Sequence, residues 1–295
     1  MIELYSAASI YRQQSSFGAF PSLVTVSDGE LRDENCFVTS LVLWHLLQWG
    51  TEWHTPAYEE CVCKALDFVA ACEDPEMEGA FRYYPYTIDS PSLDIPLHND
   101  LDDSSLALLV LWLGGRRSKE DIRAVLPTVF ERHCKHWVSE KDPSWIAPGA
   151  AMTWINGRSH QNPVDACVNA NVAALYAAMG LRDSPLYLSA TESLRCLLRH
   201  WGDPALRWRQ VAPYYAHPLE LLYAMKRAVA AGADELNELV ARMTSWGWAQ
   251  TDRQNQWSPT RPICCNDHGR PLWYAPILQK VRKFFQHTKN DNLSW

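Results

Sequence analysis

Residues 97–112 read LHNDLDDSSLALLVLW, which sets three carboxylates, Asp100, Asp102 and Asp103, into four positions ahead of a strongly apolar run. On a helix that begins near Asp102, that residue shares a stripe with Leu106, Leu109 and Leu113, and Asp103, Ala107 and Val110 lie beside it. The carboxyl groups are then expected at the rim of an apolar shaft. Carboxylates this close repel one another and cannot all ionise cheaply beside apolar surface, so at least one should keep its proton at neutral pH. Such a group is suited to general acid chemistry, with its neighbours and the helix N-terminus stabilising the carboxylate left behind. Metal binding is a second reading of the same residues. Simple capping is a third, since the helix dipole favours each acidic first-turn residue by about 0.3–1 kcal/mol.

Other residues invite comparable readings. VDACVNANV places Asp165, Asn169 and Val172 on one helical stripe, with Asn171 pointing elsewhere. Two Asn residues inside an apolar helix need partners if buried, and they find them either in the Asp cluster, orienting the acid, or in local backbone. The chain carries 14 Trp, 12 Tyr and 8 Phe, enough to build either a large core or a cavity walled with rings. Phe37, Tyr86, Trp154, Tyr215 and Trp273 fall near the expected mouth and would face developing positive charge at about 0.5–2 kcal/mol per contact. For any one of them core packing is the plainer role. CCNDHG offers Cys264, Cys265, Asp267 and His268, all zinc-ligand types, but adjacent cysteines rarely reach one tetrahedral ion and no CxxC pair accompanies them, so no metal is expected. Arg158, His160, His217 and Arg270 either hold an acidic head group or are solvated loop charge. No Gly-rich phosphate loop is present.

Helical periodicity dominates and alternating strand-type runs are scarce, which predicts an all-α protein. Asp33 is expected to cap a helix running to about Gly50, and a more polar helix follows Pro56. An apolar helix is expected at about 102–113. Its amphipathic partner, at about 118–138, opens on Ser118 with Asp121 three residues on, a capping-box spacing. A third apolar helix, 165–179, stops at Gly180 and is followed by an amphipathic one at 184–201. HPLELLYAMKRAVA, DELNELVARMTSWGW and YAPILQKVRKFF continue the pattern. The apolar members start near residues 33, 101, 165, 217 and 274. Helices apolar all round are buried and those with a charged face lie outside, so the expected architecture is a single α/α barrel, or toroid, of helical hairpins. It has inner and outer helix rings and spans residues 1–295 as one domain, padded at residues 1–30. Inner helices that run the same way gather their N-termini at one end, where long loops converge and a site is expected.

A formal net charge of −7 and the lack of a basic run argue against nucleic acid as a partner. No secretory signal or bilayer-spanning stretch is visible, which places the chain in the cytoplasm with room for peripheral membrane contact. Nine irregularly spaced cysteines fit reduced, packed thiols. The expected state is a monomer or weak homodimer.

DLDDSS resembles the DxDD motif, usually followed by Thr or Ser, of class II terpene cyclases such as squalene-hopene cyclase. GAFRYYPY ahead of it and VDACVNANVAALYAAMG behind it look like segments of small single-domain cyclases that act on prenylated aromatic acids. The resemblance spans residues 30–290, although only the DxDD element is specific. It implies a cyclase without cofactor, in which Asp102 protonates the distal end of a polyprenyl chain and Asp100 and Asp103 support it by hydrogen bonds. The implied partner is a small amphiphilic isoprenoid. The chain departs from the larger cyclases in having one α/α domain rather than two, and in Ser105 where Ala commonly follows the Thr. An Asp-rich DDxxD element, which ionises a diphosphate in class I terpene synthases, is missing. Three rivals share the pattern: a zinc-dependent protein prenyltransferase-like enzyme, a carbohydrate-active α/α barrel, and a helical-hairpin interaction scaffold.

Overall fold

The computed structural model describes residues 7–49, 54–86, 98–155, 162–246, 249, 261–266 and 268–289, with the backbone alone at 200–201 and 286–289. After the short α1 (Ala7–Tyr11), helix α2 (Cys36–Leu46) starts two residues later than expected. Its cap is Asn35, whose Oδ1 accepts from the Val38 amide at 2.8 Å. Asp33 is not the cap: it ends a strand, and its carboxylate is taken by other side chains.

Helix α3 (Pro56–Ala70) opens on Thr55 with Pro at its first position, where a missing N–H costs nothing. Helix α4 (Leu101–Leu113) is capped by Asp100, and α5 (Lys119–Val129) opens with the Ser118–Asp121 capping box. Helix α5 ends well short of residue 138. Pro127 sits inside its last turn and withholds a donor, and the chain then leaves to pair as a strand. Helix α6 (Ala166–Ala178) is capped by Asp165 and closed by Gly180, whose φ of +75° is a conformation that favours Gly. Helices α7 (Pro185–Cys196), α8 (Trp208–Val211), α9 (Pro218–Ala230), α10 (Asn237–Thr244) and α11 (Pro276–Lys289) complete the series.

Helices α2, α4 and α6 are buried almost all round, whereas α3 and α5 bury one stripe. The enclosed members pack in the order α9, α6, α4, α2, α11. A buried ion pair joins the two ends of that order: Arg282 of α11 donates to both carboxylate oxygens of Glu220 in α9, at 2.8 and 2.7 Å. Outside them, α3 covers α2 and α4, α5 covers α4, α7 covers α6 and α10 covers α9. Among the described residues no helix is long and apolar enough to cross a membrane. All nine cysteines are free thiols.

The protein is helical but not all-α. A four-stranded antiparallel sheet runs in the order β2 (Gly29–Asp33), β1 (Ser22–Val26), β8 (Leu272–Tyr274), β7 (Pro262–Cys265). Residues read as N-terminal padding therefore pair with the C-terminal region, Val24 opposite Trp273. Two further ribbons pair β3 (Phe81–Arg82) with β4 (Asn99–Asp100), and β5 (Cys134–Lys135) with β6 (Ala150–Ala151). Strands of two to five residues are too short to print a period on the sequence.

Candidate active site

The chain is fixed on both sides as it enters α4. Asp100 pairs with Phe81 on one side and bridges to Trp154 on the other, while the Leu101 amide donates to the Thr153 carbonyl at 2.8 Å. Ser104 Oγ donates to the Asp100 carbonyl at 2.6 Å and accepts from the Phe81 amide at 2.8 Å. Asp100 Oδ1 accepts from the Asp103 amide at 2.7 Å, so this carboxyl is a cap held by backbone. Ser104→Ala is expected to orphan the buried Phe81 N–H, at about 1–3 kcal/mol. Urea unfolding would show this as a lower midpoint with an unchanged slope, and an unshifted midpoint would contradict it.

Beside this junction lies a cavity of about 590 Å³ that Asp100, Asp102 and Asp103 line together with His98 and seven Phe, Tyr and Trp rings. Phe37 of α2 stands edge-on to Tyr215 at 5.7 Å between ring centroids, and Tyr83 stands edge-on to Trp273 at the same distance. Trp154 crosses Tyr214 at 5.1 Å and donates its indole N–H to the Tyr214 hydroxyl at 2.8 Å. The cavity collects residues leading into α2, α4, α6, α9 and α11, so it lies across the helix N-termini. This cavity does not run down the helices as the expected shaft: Leu106 and Leu109 are buried in the core and do not line it. Side chains close-pack there, as protein interiors do.

Asp102 is the least buried of the three carboxyls and presents to this space. Its Oδ1 accepts from Asn171 Nδ2 at 2.6 Å, and its Oδ2 accepts a short bond from the Tyr215 hydroxyl. Asn171 is oriented in turn by Arg227, whose Nε and Nη2 donate to Asn171 Oδ1 at 3.1 and 2.8 Å. Because the guanidinium claims the amide oxygen, the amide nitrogen must face Asp102. A buried cation thus acts on the Asp102 carboxyl through one neutral side chain.

Burial raises the pKa of Asp102, while Asn171, Tyr215 and the Arg227 charge pull it back. Asp100 is pushed up to about 7 by burial and then by the charge of Asp102, against backbone donors. Asp103 is driven furthest, by burial and then by Asp100, and both its oxygens are buried with no hydrogen-bond partner. Asp165, capping α6 through the Cys167 amide at 2.7 Å, is pushed up to about 8 by burial and by Asp102. Four carboxyls so placed do not all ionise at neutral pH. Donors to Asp102 stabilise its conjugate base, which makes it the strong acid of the group.

The remaining sequence candidates separate. Asn169 lies on the far stripe from Asp102: its amide clamps the Ala151 backbone, donating and accepting at 3.0 Å, and donates to the Asp165 carbonyl at 2.8 Å. Tyr86 is outside the cavity wall, its hydroxyl donating to Asn99 at 2.8 Å and its ring stacked under the Arg82 guanidinium at 3.8 Å. Phe37, Trp154, Tyr215 and Trp273 line the cavity. His217 caps α9, its Nδ1 accepting from the Leu219 amide at 3.2 Å. Burial and Arg261 push its pKa down to about 4, so it is neutral and brings no charge to an acidic head group. Arg270 is exposed, and Arg158 and His160 lie outside the described residues. In CCNDHG, Cys264 faces the Tyr83 hydroxyl at 3.7 Å and Cys265 faces Arg209 at 3.1 Å. His268 is exposed and Asp267 lies outside the described residues. Among the described residues no three His, Cys, Asp or Glu side chains converge on one point.

Sequence reasoning missed Tyr83, Tyr84, Tyr214 and Arg227, and it did not assign Asp165 to the cluster. Asp165 carried the same signal as Asp100, an Asp directly ahead of an apolar helix. Arg227 shares a stripe with Glu220, seven residues earlier on an otherwise apolar face.

No family model matches the chain, and no curated protein matches it in sequence. Among solved structures it is similar to the type II terpene cyclase MstE from Scytonema in its apo form, at 14% identity and a TM-score of 0.46, over 97% of this chain and 96% of that one. It is similar to a variant of the same enzyme in complex with merosterolic acid A, described as product, at 14% identity and a TM-score of 0.47, over 97% and 95%. A protein from Actinoplanes is similar over 98% of this chain and 100% of that one, at 16% identity and a TM-score of 0.43.

Proposed function

We propose that the chain is a class II terpene or meroterpenoid cyclase, a single-domain α/α barrel that converts a linear polyprenyl chain attached to an aromatic acid into a polycyclic product. The observation that carries this reading is the Asp102 carboxyl, held by Asn171 and Tyr215 and opening into an aromatic-walled cavity of about 590 Å³. That volume falls in the range of sites that enclose a small molecule of this size. The barrel rests on the packing order α9, α6, α4, α2, α11 and on the ion pair that joins its ends.

In this mechanism the Asp102 O–H bond breaks and its proton adds to the distal alkene carbon, or to the oxygen of a terminal epoxide. The electron pairs of successive alkenes attack the cation so formed, closing rings. Asn171 and Tyr215 hold the Asp102 carboxylate left behind. Phe37, Tyr83, Trp154, Tyr215 and Trp273 line the cavity with π systems that stabilise the migrating charge. Asp103, kept neutral by burial, adds no charge beside the acid, and Asp100, pushed up to about 7, is only partly ionised at neutral pH.

The test is incubation of the purified protein, with chelator present, with geranylgeranyl dihydroxybenzoate and its terminal epoxide. Cyclised isomers of unchanged mass support the proposal, and recovery of linear substrate from both incubations refutes it. The rate should also depend on pH in one direction. The proton must be on the cluster, whose raised members titrate at about 7 and about 8. The turnover number is therefore expected to fall as pH rises through that window, with an apparent pKa belonging to the cluster as a whole. A rate that climbs across it would contradict the acid role.

A further inference from the structure

A second carboxylate stands behind the cavity wall, in surroundings opposite to those of Asp103. Asp33, 1% exposed, accepts the Tyr84 hydroxyl on Oδ1 at 2.7 Å. Its Oδ2 accepts from Asn35 Nδ2 at 2.6 Å, Trp273 Nε1 at 3.1 Å and Ser22 Oγ at 3.2 Å. Burial raises the pKa of Asp33, and all four partners, approaching as donors, pull it back by stabilising the carboxylate, whereas Asp103 has no such donor. Tyr84 lines the cavity beside Tyr83, their ring centroids 5.0 Å apart, and Trp273 lines it as well. One cavity is thus bordered by a carboxyl cluster built to hold protons and by a phenol wired to a carboxylate built to accept one. Environments that split two carboxyl systems in this way mark the acid and the base.

Resting on the cyclase reading above, we propose that Tyr84 is the residue that ends the reaction by taking the final proton, with Asp33 as the carboxylate that drives the transfer. The C–H bond next to the last cationic carbon breaks and its electron pair becomes the product alkene. The proton passes to the Tyr84 oxygen while the phenol's own proton moves to Asp33 Oδ1, so no phenolate forms. After product leaves, the relay runs back to solvent and Asp102 takes up a proton from solvent, which closes the isomerisation. The Asp102 carboxylate, tethered by Asn171 and Tyr215 where the chain was first protonated, is several rings removed from that last cation.

The experiment compares wild type, Tyr84→Phe and Asp33→Asn on geranylgeranyl dihydroxybenzoate, with products resolved by mass and NMR. Tyr84→Phe keeps the ring and the protonation machinery, so it should still consume substrate. The wild-type alkene should fall about tenfold as a share of product, replaced by other alkene isomers and by alcohols heavier by one water. In wild type, acidification that protonates Asp33 should raise the alcohol share in the same way. The titratable groups facing Asp33 are Tyr83, Tyr84 and Cys264, all kept neutral by burial. An unchanged product spectrum in Tyr84→Phe, or in acidified wild type where Tyr84→Phe does not fold, overturns the assignment while the cyclase reading stands. A wild type that leaves the substrate linear overturns both.

Discussion

Asp102→Asn is expected to lower the turnover number for cyclisation by about 10²–10⁴-fold, the range that a positioned general acid supplies, and to leave the protein at least as stable as wild type. Asn has the same shape, and its carbonyl oxygen can still accept from Asn171. Its amide can face the oxygen of Tyr215, whose hydroxyl is free to rotate. What disappears is the transferable proton of the neutral form and the negative charge of the ionised form. Asp100 and Asp165 owe part of their raised pKa values to that charge, so removing it relieves repulsion among buried carboxyls. Rate and stability should therefore move in opposite directions, and general disruption of the site cannot produce that pattern. Kinetics by product mass spectrometry together with a thermal melt provide the check, and a variant within threefold of the wild-type rate would remove Asp102 from its role.

Much of the helical order was legible because it rests on local chemistry. Pro56, Ser118, Asp165 and Gly180 sit where capping and termination rules place them, and each of the five apolar runs begins within a few residues of its expected start. Asp100 could be read as lying at a helix mouth for the same reason. The sheet was not legible. Val24 pairs with Trp273, nearly the whole chain away, and a strand of three residues has no internal pattern to read. That pairing matters to the site, because it sets Trp273 against Asp33 and Tyr84.

The finer geometry of the site was hidden for a related reason. Helical spacing separates Asn169 from Asn171 but does not say which stripe faces α4, and the answer depends on how α6 packs. Asn171 meets Asp102 and is backed by Arg227 from α9, three helices converging on one carboxyl. Asp33 illustrates the same limit. Its residue type suits a helix cap, and the local rule held two residues later, at Asn35, because Tyr84, Trp273 and Ser22 compete for the Asp33 carboxylate. Likewise, the cavity lies above the helices rather than within them because small and branched side chains of α4 and α6 fill the interior.

Arg282→Met should cost the fold about 3–5 kcal/mol, because it strands a carboxylate that is 2% exposed. Burial alone would raise the Glu220 pKa, but the Arg282 charge and its two hydrogen bonds, helped by Arg261 and His217, hold it below the ordinary carboxylate range. A carboxylate held low in the folded state stabilises the protein above its unfolded pKa and loses that contribution as pH falls through the folded value. In the variant Glu220 is pushed up instead, so the deficit should be greatest at neutral pH and should shrink toward about pH 4. Melting temperatures are expected to drop roughly 6–20 °C at pH 7, with the gap to wild type narrowing on acidification. Adding Glu220→Leu should restore the larger part of the loss, since an apolar pair tolerates burial better than one stranded charge. Recovery stays incomplete because Arg261 then loses the carboxylate that faced it. The defect should also reach the acid: Arg227, two turns along α9 from Glu220, aims Asn171 at Asp102, and a helix released from α11 no longer fixes that aim. A single variant that melts with wild type, or whose deficit does not change with pH, would show that the pair does not join α9 to α11.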